Sequence, residues 1–139
     1  MLDYSKNDGN VLNQQEYHGI IINLSQRDKS VFNTVEIIGR KKSFSGLVTL
    51  YKIRVSPDNI DAVIKTFQHN MADWLFFKKQ EFYFHFYRDN ELIIVFKDKI
   101  FKVSPDKSTW GEAIAYGLQL KITAKQLDFF PSRFGDEQY

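Results

Sequence analysis

Apolar positions recur along this chain at two spacings, every second residue in some stretches and every third or fourth in others. The period-two stretches read as strands. Tyr17 to Leu24 (YHGIIINL) is short, β-branched and apolar, the signature of a buried strand. Leu47 to Val55 places Leu47, Thr49, Tyr51, Ile53 and Val55 on one face of a second. Glu81 to Arg88 alternates, Asp89-Asn90 is a turn signal, and Glu91 to Lys97 returns. That returning strand is apolar on both sides, through Leu92, Ile94 and Phe96 and through Ile93 and Val95, so it is expected to be covered on both faces. Asp98-Lys99 turns again into Ile100 to Val103, which Pro105 ends. Val31 to Ile38 fits a strand or a helical face, and its Val, Thr and Ile residues favour the strand.

Two stretches carry the helical period. Ile60, Val63, Ile64, Phe67 and Met71 share a stripe. Ser56 as cap, Pro57 at the first position and Asp58 against the helix dipole extend it to 57–71. A second helix, 109–121, holds Trp110, Ala113, Ile114, Tyr116, Gly117 and Leu118, with Thr109 and Glu112 at capping-box spacing. Thr123 and Gln126 repeat that spacing and predict a further short turn before Phe129-Phe130-Pro131.

Strands in runs, separated by two helices, predict a single α+β domain rather than alternating α/β. The expected architecture is a mainly antiparallel sheet of about five or six strands packed against two principal helices, over residues 17–131. Residues 1–16 read as a flexible N-terminal lead-in and 132–139 as a loose C-terminus. Val-Ser-Pro-Asp stands at both 55–58 and 103–106. It reads either as a weak βα-type duplication (17–71 and 81–122) or as good chemistry for leaving a strand, used twice.

Composition adds one unusual quantity. Aromatic residues make up 16% of 139 residues, as 13 Phe, 7 Tyr and 2 Trp. Such an excess excludes a disordered chain. Its address is uneven: only six rings precede Trp74, and Trp74 to Tyr87 alone holds eight. Charge is nearly balanced at +2, with a pI near 8.7, and the tightest basic cluster is Arg40-Lys41-Lys42. With no cysteine, disulfides, thiolate metal sites and cysteine nucleophiles are excluded. The first residues lack a basic region followed by an apolar run, and no apolar run approaches the ~20 residues of a membrane-spanning helix. The expected compartment is the cytoplasm.

Reaction motifs are missing. His18, His69 and His85 occur singly, without metal-ligand spacing, and no nucleophile elbow, phosphate-binding loop or dinucleotide fingerprint is present. No catalytic residue, metal or cofactor is therefore assigned. The chemistry that remains is aromatic. Phe82, Phe84 and Phe86 share one face, while Tyr83, His85 and Tyr87 share the other and pair ring area with polar tips. That second face is either covered by a helix or open to a partner.

The leading expectation is a non-catalytic interaction protein that binds a protein partner, or itself as a homodimer, through this aromatic strand face, with Trp74 as a further contact. The alternative is a small-molecule-binding module built on Tyr83, His85, Tyr87 and Trp74. A third reading, nucleic-acid binding through Arg40, Lys41 and Lys42, has thin basic support. The C-terminal Gln126 to Pro131 segment, with apolar anchors and a proline stop, reads either as a docking segment or, preferably, as the element that closes the core.

Overall fold

A computed structural model describes residues 15–43 and 46–129. The N-terminal lead-in up to residue 14 and the C-terminus from residue 130 lie outside the described residues. The chain forms a mixed α+β domain around a six-stranded antiparallel sheet. In chain order the strands are β1 (Tyr17–Ile22), β2 (Glu36–Ser43) and β3 (Val48–Val55), then helix α1 (Ile60–His69). A two-stranded hairpin follows, β4 (Trp74–Leu75) and β5 (Lys78–Lys79). The sheet resumes with β6 (Tyr83–Arg88), β7 (Glu91–Phe96) and β8 (Lys99–Val103), and helix α2 (Gly111–Gln119) comes last. Spatial order in the sheet is β2-β3-β1-β6-β7-β8.

β1 joins the two halves. It pairs with β3 over its whole length, from Tyr17 opposite Val55 to Ile22 opposite Leu50, and with β6 from His18 opposite Tyr87 to Ile20 opposite His85. Period-two alternation then gives the sheet two apolar faces. On the first, Ile21, Ile53, Phe84, Phe86, Ile93 and Val95 pack beneath Ile60, Ile64 and Phe67 of α1. On the second, Leu92, Ile94 and Phe96 pack beneath Trp110 and Ala113 of the α2 region and Ile122, Leu127 and Phe129 of the segment after it. The two helices therefore lie on opposite faces. Outer edges are cationic: Arg40, Lys41 and Lys42 on β2, Lys99 and Lys102 on β8, which discourages edge-to-edge pairing.

Several local details differ from the expectations. Residues 31–38 split, with a 3-10 turn over Lys29–Thr34 and β2 from Glu36. Asp28 causes the split by accepting from the Ser30 amide at 2.9 Å, which caps the turn and buries Val31 and Phe32 beside α1. Helix α1 starts at Ile60 rather than at Pro57, because the Ser56 carbonyl accepts from the Asn59 amide and forms a turn first. Thr109 does not cap α2. Its hydroxyl donates to the Asp106 carbonyl at 2.7 Å, and Trp110 anchors the helix start through Nε1 to the Ser104 carbonyl at 2.7 Å. The turn at 123–126 forms with the reciprocal bonds of a capping box, Thr123 N to Gln126 Oε1 and Gln126 N to Thr123 Oγ1, both at 3.3 Å.

Gly19 allows the β1–β6 pair to close. A Cβ there would stand 2.4 Å from Cε1 of Phe86, a fully buried ring with core on every side. Gly19→Ala is expected to destabilise the fold by about 1–3 kcal/mol through overpacking. Urea unfolding measures it, and a loss below about 0.5 kcal/mol would show that β1 and β6 shift apart easily.

Candidate functional site

The structure separates the four aromatic-site candidates into two places. Tyr83, His85 and Tyr87 stand together on the second face of the sheet. Trp74 belongs to the β4–β5 hairpin, whose side chains the core leaves outside.

The strand face is covered in part. Tyr83 packs edge-on against Phe129 at 5.2 Å and donates its hydroxyl to the Gln126 carbonyl. His85 is 5% exposed, between Ile20 on β1 and Ile94 on β7. Tyr87 sits between His18 and Leu92, and its buried hydroxyl has no hydrogen-bond partner among the described residues. Burial of that phenol pushes its pKa up to about 12. The cover is the segment after α2, not a helix over the whole face.

Around Tyr87 the second face carries a polar cluster that sequence reasoning passed over. Lys52, only 1% exposed, projects its Nζ over the Tyr87 ring at 5.9 Å, and the His18 ring meets Tyr87 edge-on at 5.8 Å. Period-two alternation in β3 and β1 was the available signal, since it puts Lys52 and His18 on the face opposite Ile53 and Ile21.

Beside this cluster lies a groove of about 260 Å³. Ile20, Ile22 and Leu50 line it, with Tyr83 and His85 from β6, Glu81 from the approach to β6, and Ile122, Gln126 and Asp128 from the segment after α2.

The hairpin is a different kind of surface. It leaves the body at Asp73, whose carbonyl accepts from the Gln80 amide at 3.0 Å. Trp74 pairs with Lys79 and Leu75 with Lys78, which leaves Phe76 and Phe77 as the two turn residues. Both take positive φ, 52° and 68°. Two-residue hairpins use this geometry with Asn and Gly, whereas bulky side chains adopt it rarely and at a cost of roughly 1–2 kcal/mol each. The strain goes with exposure: Trp74 is 59%, Phe76 67% and Phe77 100% exposed. At its base the Asp73 carboxylate faces Lys97 at 3.5 Å, Lys79 at 3.7 Å and Arg27 at 3.8 Å. Burial would raise its pKa, but Lys97, Lys79 and Arg27 together hold it below the usual carboxylate range.

The basic candidates are divided by the pleat. Arg40 and Lys42 stand opposite Tyr51 and Thr49, and Lys41 opposite Leu50, so neighbours in sequence point to opposite faces of β2. Arg40 rests its guanidinium 5.6 Å from the Tyr51 ring. Among the described residues no three His, Asp or Glu side chains form a metal-binding group, and no helix is long and apolar enough to cross a membrane. No protein-family model, curated protein or solved structure matches this chain.

His18 makes the polar cluster sensitive to pH. Burial lowers its pKa from the ordinary 6.5, and Lys52 and Arg54 lower it further. The unfolded chain thus takes up this proton before the folded one does. Stability is fully present above pH 6.5 and falls as pH drops from there through the folded-state pKa. His18→Asn should shrink the loss of stability between pH 7.5 and 5.5 seen in urea midpoints. An unchanged pH dependence would assign it to other groups.

Proposed function

We propose that this chain is a small cytoplasmic interaction protein without catalytic activity, which docks a protein partner through the Trp74–Lys79 hairpin. The observation that carries the reading is the turn itself. Two phenylalanines occupy a conformation that disfavours them, at a position where neither ring packs on the protein's own core. Strain and apolar exposure at one tip are the features of a docking element, since backbone strain persists at functional positions and aromatic anchors supply most interface energy. A convex tip fits an apolar pocket in the partner. Lys78 and Lys79 beside it, with Arg27 and Lys97 at the base, outnumber Asp73 and Glu81 and favour an acidic rim.

Self-association through the same tip is disfavoured. It would bring Lys78 and Lys79 towards their own copies, and three rings supply a few hundred Å² where a stable dimer buries about 1,200 Å² or more. The alternative of a small-molecule module is supported by the groove at Tyr83 and His85, which neither Tyr87 nor Trp74 lines.

Folding and docking can be separated by one variant. Phe76→Asn with Phe77→Gly installs residues suited to the turn and should raise the unfolding free energy by about 1–2 kcal/mol. The same variant should lose the partner. Docking is read by placing a photo-crosslinking phenylalanine analogue at 77, with Leu118, an exposed position on α2, as control. A discrete adduct from position 77 alone, abolished by adding Trp74→Ala, is expected. No adduct, or the same adducts from both positions, would overturn the reading.

A further inference from the structure

The groove beside β6 has a charge pattern unlike the rest of the molecule. The chain as a whole carries slightly more lysine and arginine than acid, yet among the described residues no lysine or arginine lines this groove. Its ionisable lining consists of Glu81, Asp128, His85 and the Tyr83 phenol. The floor is aliphatic, formed by Ile20, Ile22 and Leu50, with Ile122 and the ring of Tyr83 also lining it. We propose that this groove binds a small organic cation, an ammonium group carried on an apolar or aromatic body. This inference is independent of the hairpin.

Each part of the lining restricts the ligand. The aliphatic floor and the Tyr83 ring favour an apolar body, and aromatic rings also attract a cation. Carboxylates at the groove disfavour an anion and favour a ligand that brings a positive charge. The volume, about 260 Å³, lies below the roughly 300–1,000 Å³ of drug-sized sites and suits a compact amine rather than a nucleotide. Lys79 shows that Glu81 accepts an ammonium here, since its Nζ stands 3.5 Å from the carboxylate while most of its side chain remains exposed. An incoming amine replaces that weak surface pair.

The segment after α2 holds the opposite wall in place. Leu127 packs so closely on Gly117 that a Cβ there would come within 2.5 Å of it, and the Tyr83 hydroxyl holds the Gln126 carbonyl. The groove therefore exists before any ligand arrives, which limits the ordering cost of binding.

The same ammonium chemistry could be offered by a free amine or by a lysine side chain on another protein. Three probes separate the cases on the intact chain, followed by amide chemical shifts: phenethylamine, 3-phenylpropionate and the capped tripeptide Gly-Lys-Gly. Phenethylamine should perturb Ile20, Tyr83, His85, Ile122 and Gln126 in a saturable way, and 3-phenylpropionate should not. Glu81→Gln and Asp128→Asn should each weaken phenethylamine about fivefold, and Lys79→Ala should tighten it. Circular dichroism checks that each variant folds. A tripeptide that binds more tightly than phenethylamine identifies the source as protein, and the reverse identifies a free amine. Equal binding of 3-phenylpropionate, no saturable shift with either cation, or unchanged affinity in both carboxylate variants would overturn the proposal.

Discussion

β7 is the strand on which the rest of the fold depends. Leu92 to Phe96 are buried without interruption, with Ile93 and Val95 in one core and Leu92, Ile94 and Phe96 in the other. An antiparallel strand with a solvated face would leave one of these sets in water, at a cost of roughly 1.5–3 kcal/mol for each large side chain. Cover on both faces is thus a requirement. It places α1 above one side, and α2 with the segment to Phe129 above the other. A hydrogen bond secures the first arrangement where β7 ends, from Gln68 Nε2 of α1 to the Phe96 carbonyl at 2.8 Å.

The covering is uneven across the sheet. Over β6 and β7 the second face is closed by Trp110, Leu127 and Phe129, whereas over β1 and β3 it carries Ile22, Leu50, Lys52 and His18, which the residues after α2 that the structure describes do not cover in the same way. The groove lies at this boundary. The hairpin arises from the path the chain must take between layers. The chain between α1 and β6 must descend from above the first face to the sheet, and Asp73, held by three cations, fixes where the excursion begins.

Legibility in the sequence follows the range of the forces involved. Strand alternation is local, so β1, β3, β6, β7 and β8 can be read within about two residues, and two-sided cover of β7 follows from its own composition. Helix stripes were readable for the same reason. Their starting residues were not, because Ser56 and Thr109 each had a competing backbone partner within a few residues. The fate of Tyr83 was beyond local reading, since its hydroxyl is satisfied 43 residues away at Gln126. The β4–β5 hairpin was hidden for another reason. A turn is recognised by Asn, Gly or Asp at its centre, and Phe76-Phe77 carries the opposite signal. By contrast Asp89, at φ 51° between β6 and β7, announced its turn in the usual way.

The hairpin and the groove meet at an ion pair. Lys79 belongs to the tip and Glu81 to the groove, and their charged ends lie 3.5 Å apart. If that pair were buried, occupancy of one surface would strongly bias the other through the same carboxylate. Lys79 is instead largely exposed, and solvent-screened pairs of this kind are worth about 0–1 kcal/mol. Coupling of that size changes an affinity by less than about tenfold. The two surfaces are therefore nearly independent in energy although only Gln80 stands between Lys79 and Glu81 in the chain. On the two readings proposed above, each surface can be altered without silencing the other.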